Sequence, residues 1–186
     1  MKRIILTLVF LVVAYHGFSR EKFENALTAV KPKTAEPVDY YKKGFVSITE
    51  LGVAFSGKTA VFSFNEVLGG RVSPHFGIGL GIGTEYGKGG FISFPITLDM
   101  RAYFLKKRVS PFINIAPGYQ LNTVTSAFVA GISHNFVSNT GLGVEFKIIK
   151  QVGISLNGGY RLTVTPVKGF PTVLGHGGFV RFGVVY

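Results

Sequence analysis

Residues 92–104 read ISFPITLDMRAYF, a pattern that only a strand can sort. Ile92, Phe94, Ile96, Leu98, Met100, Ala102 and Phe104 fall on one face, and Ser93, Pro95, Thr97, Asp99, Arg101 and Tyr103 on the other. A helix would spread both sets around its circumference, whereas a strand separates them. VGISLNGGYRLTV (152–164) alternates in the same way, and so does the segment ending in Val180, Phe182, Val184 and Tyr186. From Gly44 onward the period of two recurs, giving eight expected strands at 44–56, 59–72, 75–87, 91–105, 109–121, 139–149, 152–165 and 176–186. Most exceed the roughly 9–11 residues that a tilted membrane strand needs. Turn signals stand between them at Ser73-Pro74, Gly87–Gly90, Lys106–Arg108 and Lys150-Gln151. The second strand is the exception. In TAVFSFNEVLGGRV neither face is cleanly apolar, and its inward side cannot be assigned from the pattern.

Alternation alone also fits a soluble sandwich or a lipocalin-like binder, so the contents of the polar face decide. That face holds isolated charges, Glu85, Asp99, Arg101, Glu145, Lys147, Arg161 and Arg181, among small polar residues and glycines. FGIGLGIG (76–83) is the extreme case, with Gly77, Gly79, Gly81 and Gly83 on one side and Phe76, Ile78, Leu80 and Ile82 on the other. Bare glycine weakens a surface strand, but it suits a crowded lumen. The glycines are therefore expected to face inward, making room for Arg101, Tyr103, Arg161 and Arg181, with the charges paired inside and the large apolar residues facing lipid. Strict alternation of the glycines excludes a phosphate-binding loop, which needs a different spacing and a following helix.

Mean hydropathy is +0.36, yet beyond the N-terminus no apolar run reaches the roughly 18 residues of a spanning helix. A hydrophobic chain without a spanning helix points to a barrel. The expected fold is all-β, an eight-stranded antiparallel up-and-down transmembrane β-barrel over 44–186, preceded by a signal peptide and a flexible linker. Lys2, Arg3 and the apolar stretch IILTLVFLVVAY read as a signal peptide over 1–19. Residues 20–43, polar and interrupted by Pro32 and Pro37, read as a flexible periplasmic linker. An even strand number puts both barrel ends on the periplasmic side. Segments 122–138 and 166–175 are then the connections long enough to form an external surface.

FPITLDMRAYFLKKRVSPFINIAPGYQL (94–121), TGLGVEFKI (140–148), ISLNGGYRL (154–162) and the strand ending in Tyr186 carry a family likeness. Over about 44–186 the chain resembles the small eight-stranded outer-membrane β-barrel proteins of Gram-negative bacteria, akin to the OmpX- and OmpA-type barrels. The resemblance implies an integral outer-membrane position, lipid and lipopolysaccharide as neighbours, the barrel-assembly machinery as a partner during biogenesis, and a monomer. It also implies that Val180, Phe182, Val184 and Tyr186 form the strand read by that machinery, with Tyr in place of the commoner terminal Phe.

The net charge of +11 is scattered or placed at turns. No basic helix or interleaved aromatic platform supports nucleic-acid binding. The chain has no Cys, so thiol chemistry is absent. Some barrels of this kind are lipid A deacylases, whose motif places Ser two residues after His. Around Ser133, His134, Ser138 and Glu145 that position holds Phe136, and His134 reads as a polar loop residue. His75 and His176 lack metal-ligand spacing. No catalytic, cofactor or metal residues are assigned. Eight strands give a lumen that side chains fill, which argues against a wide pore. The reading is a structural, envelope or surface-contact barrel without catalysis, with a lipid-modifying enzyme of the deacylase kind as the alternative.

Overall fold

In a computed structural model of the chain, residues 40–56, 59–88, 90–125, 130–166 and 171–186 are described. The expected signal peptide at 1–19 and most of the expected linker at 20–43 lie outside them. Eight strands follow in order: β1 (Gly44–Ser56), β2 (Thr59–Ser73), β3 (Phe76–Gly87), β4 (Phe91–Tyr103), β5 (Val109–Thr125), β6 (Ala130–Lys147), β7 (Gly153–Thr165) and β8 (Val173–Val185). Each pairs antiparallel with its sequence neighbour, and β1 pairs with β8 to close the barrel. The sheet has no free edge, as a barrel wall in lipid requires.

The tight connections follow the turn chemistry. Gly90 takes φ 79° at the start of β4, a conformation that a side chain would oppose. Ser73-Pro74-His75 turns β2 into β3, and the register shifts between Arg71 and Ser73.

Two expected loops are much shorter than their sequence implies. β5 runs on to Thr125 and β6 starts at Ala130, so only 126–129 join them, not 122–138. β8 starts at Val173, which leaves 166–172 rather than 166–175. The polar residues that resemble loop positions are paired strand residues: Leu121 lies opposite His134, and Asn122 opposite Ser133. His134 is thus a strand residue, not a loop residue, and His176 lies within β8 opposite Leu162.

Large apolar side chains cover the outside. Leu80 and Ile82 are each 59 % exposed, Leu142 66 % and Leu156 52 %. Charged and amide groups fill the inside, where Glu85, Arg101, Asn114 and Glu145 are buried. Among the described residues the buried apolar side chains form two small clusters, Tyr41, Tyr103 and Phe112 near one end and Ile48, Val67 and Val185 beside the β8–β1–β2 seam, with Ala54, Ala116, Val137 and Phe179 buried apart from them.

Candidate functional site

Inward-pointing positions of all eight strands contribute to three charge clusters. In the first, Glu85 on β3 receives Arg161 of β7 at 2.5 Å. Gln120 donates to the same carboxylate at 2.9 Å and accepts from Arg161 at 3.0 Å. Ser93 adds a fourth contact at 3.1 Å. In the second, the Arg101 guanidinium lies 2.7 Å from Asp99 and 2.6 Å from Glu50 on the far side of the lumen. Arg181 of β8 approaches Glu50 at 3.6 Å. In the third, Glu145 takes Lys147 at 2.9 Å and Arg71 at 3.3 Å.

Arg71 is also clamped between two aromatic rings, 4.4 Å from the Tyr41 centroid and 4.5 Å from that of Tyr103. Tyr41 belongs to the last four residues of the expected linker and is fully buried. Burial, with the nearby Glu145 carboxylate, pushes its phenol well above the ordinary value, so it is neutral at physiological pH.

The sequence-derived interior residues Glu85, Asp99, Arg101, Glu145, Lys147, Arg161 and Arg181 are all buried in these clusters. Two charged members escaped the sequence pattern. Glu50 sits in β1, where Ser47 and Thr49 blur the outer face, and Arg71 sits in the unassignable β2.

The glycines of β3 behave in two ways. Gly77 and Gly79 line a cavity of about 20 Å³ with Asp99, Arg101 and Tyr103, room for about one water. Gly81 and Gly83 instead lie tight against Thr97 and Asn65, not against an arginine. The expected accommodation of Arg161 and Arg181 by this stripe is therefore corrected. Those guanidiniums reach across to Glu85 and Glu50, while the neighbouring strand backbone crowds Gly79 and the Thr97 and Asn65 side chains crowd Gly81 and Gly83. A Cβ on Gly79 would stand 2.9 Å from the Leu68 carbonyl oxygen.

Beside the closing seam the polarity of the wall inverts. Val46, Ile48, Val67 and Val185 pack inward, while Ser47, Thr49, Glu66 and Tyr186 share the outer side of the wall. Among the described strand residues, Glu66 is the one acidic or basic (Asp, Glu, Lys or Arg) side chain at an outward position. It accepts from Ser47 at 2.5 Å, Thr49 at 2.6 Å and the Tyr186 phenol at 3.3 Å. The Thr49 and Tyr186 hydroxyl oxygens lie 2.8 Å apart. This inversion is why β2 defeats a simple two-face reading. The other residues of the expected assembly strand, Val180, Phe182 and Val184, point outward and are exposed.

The candidate nucleophile set does not assemble. His134 is on the outer surface, hydrogen-bonded through Nδ1 to Tyr119 at 2.7 Å. Glu145 is on the opposite side of the wall with Lys147. Ser133 accepts from Asn122 at 3.2 Å. His176 repeats the His134 arrangement, with its Nδ1 bonded to the Tyr160 phenol. His75 bonds the Tyr103 carbonyl at 2.8 Å. Among the described residues no group of His, Cys, Asp and Glu is placed to hold a metal ion.

No protein-family model and no curated protein matches the sequence. Solved structures share the fold at low identity. Neisserial surface protein A (NspA) aligns with a TM-score of 0.58 at 16 % identity, covering 76 % of this chain and 94 % of its own. The N-terminal β-barrel domain of Pseudomonas aeruginosa OprF aligns at 0.55 and 11 %, covering 78 % and 100 %. The outer membrane enzyme PagL aligns at 0.51 and 16 %, covering 73 % and 97 %. The chain therefore has the eight-stranded outer-membrane barrel fold.

Proposed function

We propose that this chain is a small integral outer-membrane barrel with a filled lumen, whose role is structural, in envelope integrity or contact at the cell surface, without catalysis. The observation that carries this reading is the ion pairing of the interior. Five cations and four carboxylates, all buried, meet across the lumen, and groups held this way brace a wall rather than turn over a substrate. Short external connections favour the structural side of the reading over long-loop recognition.

The N-terminal residues 1–19 serve as the export signal and 20–43 as the periplasmic linker, with Tyr41 anchoring the end of that linker in the barrel mouth. Val180, Phe182, Val184 and Tyr186 serve as the strand presented to the assembly machinery, and the folded protein is a monomer among lipids and lipopolysaccharide. PagL, an enzyme of the same fold, keeps the lipid-modifying alternative in view. Against it stands the separation of His134 from Glu145 by the barrel wall.

Mass spectrometry of lipid A from cells with and without the protein is the test. Identical lipid A species, together with weakened resistance to detergent in cells lacking the protein, are expected. A shift in acyl number that depends on His134 would overturn the reading.

A further inference from the structure

We propose that Tyr119–His134 and Tyr160–His176 form an outer-leaflet binding site for the phosphate groups of an anionic glycolipid. The proposal rests on the membrane placement above and adds a ligand class to it. Both pairs are on the outer surface, and both histidines and both tyrosines are exposed. Each pair joins a phenol to Nδ1 of an imidazole, with ring centroids 5.8 Å and 6.0 Å apart.

Hydrogen counting gives the pairs their chemistry. A neutral phenol and a neutral imidazole together carry two polar hydrogens, of which their mutual bond uses one. In either tautomer one N–H or O–H donor remains that the mutual bond does not use. The face around the pairs is mostly Ile, Leu, Val and Phe, with the exposed Thr140 hydroxyl opposite Tyr160, and each pair keeps its unused donor.

Their height matches a headgroup. From Val109 to Tyr119 along β5, and from Tyr186 to His176 along β8, the climb is about 25 Å for a tilted strand, close to the height of a barrel's apolar band. The pairs thus sit where hydrocarbon gives way to headgroups on the external side. The electrostatics favour an anion there. From Gly44 onward the acidic residues are Glu50, Glu66, Glu85, Asp99 and Glu145. Four are inside the lumen, and Glu66 bonds to Ser47 and Tyr186 at the opposite, periplasmic half of the wall. The external turns carry no carboxylate, and lysines stand at Lys58, Lys88 and Lys168. A lipid-borne phosphate meets two spare donors and no outward acid in that half of the wall.

Native mass spectrometry of the detergent-solubilised full chain tests this, with folding checked by the mobility difference of unboiled and boiled samples. The probes are diphosphorylated lipid A, the same lipid with its phosphates removed, and inorganic phosphate as competitor. The wild type is expected to retain diphosphorylated lipid A about tenfold better than the folded His134→Leu/His176→Leu variant, and the dephosphorylated lipid no better. Tyr119→Phe/Tyr160→Phe, which leaves both imidazoles, is expected to lose part of the retention and covers the case in which the first variant does not fold. His75→Leu, at the other end of the barrel, is expected to bind as wild type. Equal retention of diphosphorylated lipid A by the wild type and either folded double variant would overturn the site. Displacement of the lipid by millimolar phosphate would overturn the lipid assignment. A wild-type chain that fails to partition into detergent or vesicles would instead sink the membrane reading beneath it.

Discussion

Replacing Arg101 by leucine is the sharpest probe of the lumen. The guanidinium is 2 % exposed and serves two carboxylates at once, Asp99 at 2.7 Å and Glu50 at 2.6 Å. Leucine roughly fills the stem's volume, so the loss is electrostatic more than steric. Glu50 keeps Arg181 at 3.6 Å and Asn157 at 3.5 Å. Asp99 loses the partner of its only ion pair among the described residues. One orphaned carboxylate and one half-compensated carboxylate place the cost in the range for breaking a buried pair, about 3–5 kcal/mol. Adding Asp99→Asn removes the worse orphan, so the double variant is expected to regain more than half of that loss. The assay is denaturant unfolding in lipid vesicles, followed by far-UV circular dichroism and gel mobility, since the chain has no Trp to report by fluorescence. Lys150→Asp, at an exposed turn, serves as the surface control. If Arg101→Leu unfolds with Lys150→Asp, or the double variant is weaker than the single, the paired-lumen account is wrong.

Other perturbations separate the remaining features. Glu66→Leu would stabilise a carboxylate that merely faced lipid; because three hydroxyls converge on it, we expect a loss of about 1–3 kcal/mol in the same unfolding assay. Tyr186→Phe removes one of those hydroxyls and is expected to cost about 1 kcal/mol. Gly79→Val should cut the yield of folded barrel by driving a Cβ into the Leu68 carbonyl, whereas Gly77→Ala, whose nearest neighbour is 3.7 Å away, should refold normally on an unboiled gel. In planar bilayers the wild type is expected to show no porin-sized steps. Arg161→Ala/Glu85→Ala, which empties one cluster, should raise the small-ion leak, and an unchanged leak would mean that the other two clusters alone seal the lumen.

The architecture was legible wherever one face of a strand is uniformly apolar. In β4, β7 and β8 the period of two separates greasy from polar residues without exception near the centre, and eight strands with their closure follow from counting such segments. β1 and β2 resisted because the polarity rule reverses locally: Ile48 and Val67 turn in, while Thr49 and Glu66 turn out. Glu50 and Arg71 were hidden by that reversal, since a charge declares its side only through its neighbours. The strand extensions at 122–125 and 130–138 were hidden for a different reason. Asn122, Ser133 and His134 have loop-like chemistry, and it is the partner strand, invisible in a one-dimensional pattern, that holds them extended. The glycine stripe announced a crowded wall but not what crowds it, because Gly81 meets Thr97 and Gly83 meets Asn65 through cross-strand registers that a single sequence does not display.

The reversed stripe along β8, β1 and β2 also breaks the rotational sameness expected of a small cylinder. Seen along the membrane normal, the molecule has one flank with an acid ringed by hydroxyls, and elsewhere a mostly aliphatic and aromatic coat that carries no outward carboxylate among the described residues. It therefore has a compass bearing in the plane of the bilayer. Lipid tails and neighbouring proteins meeting it from that flank encounter a different surface from those arriving at any other azimuth.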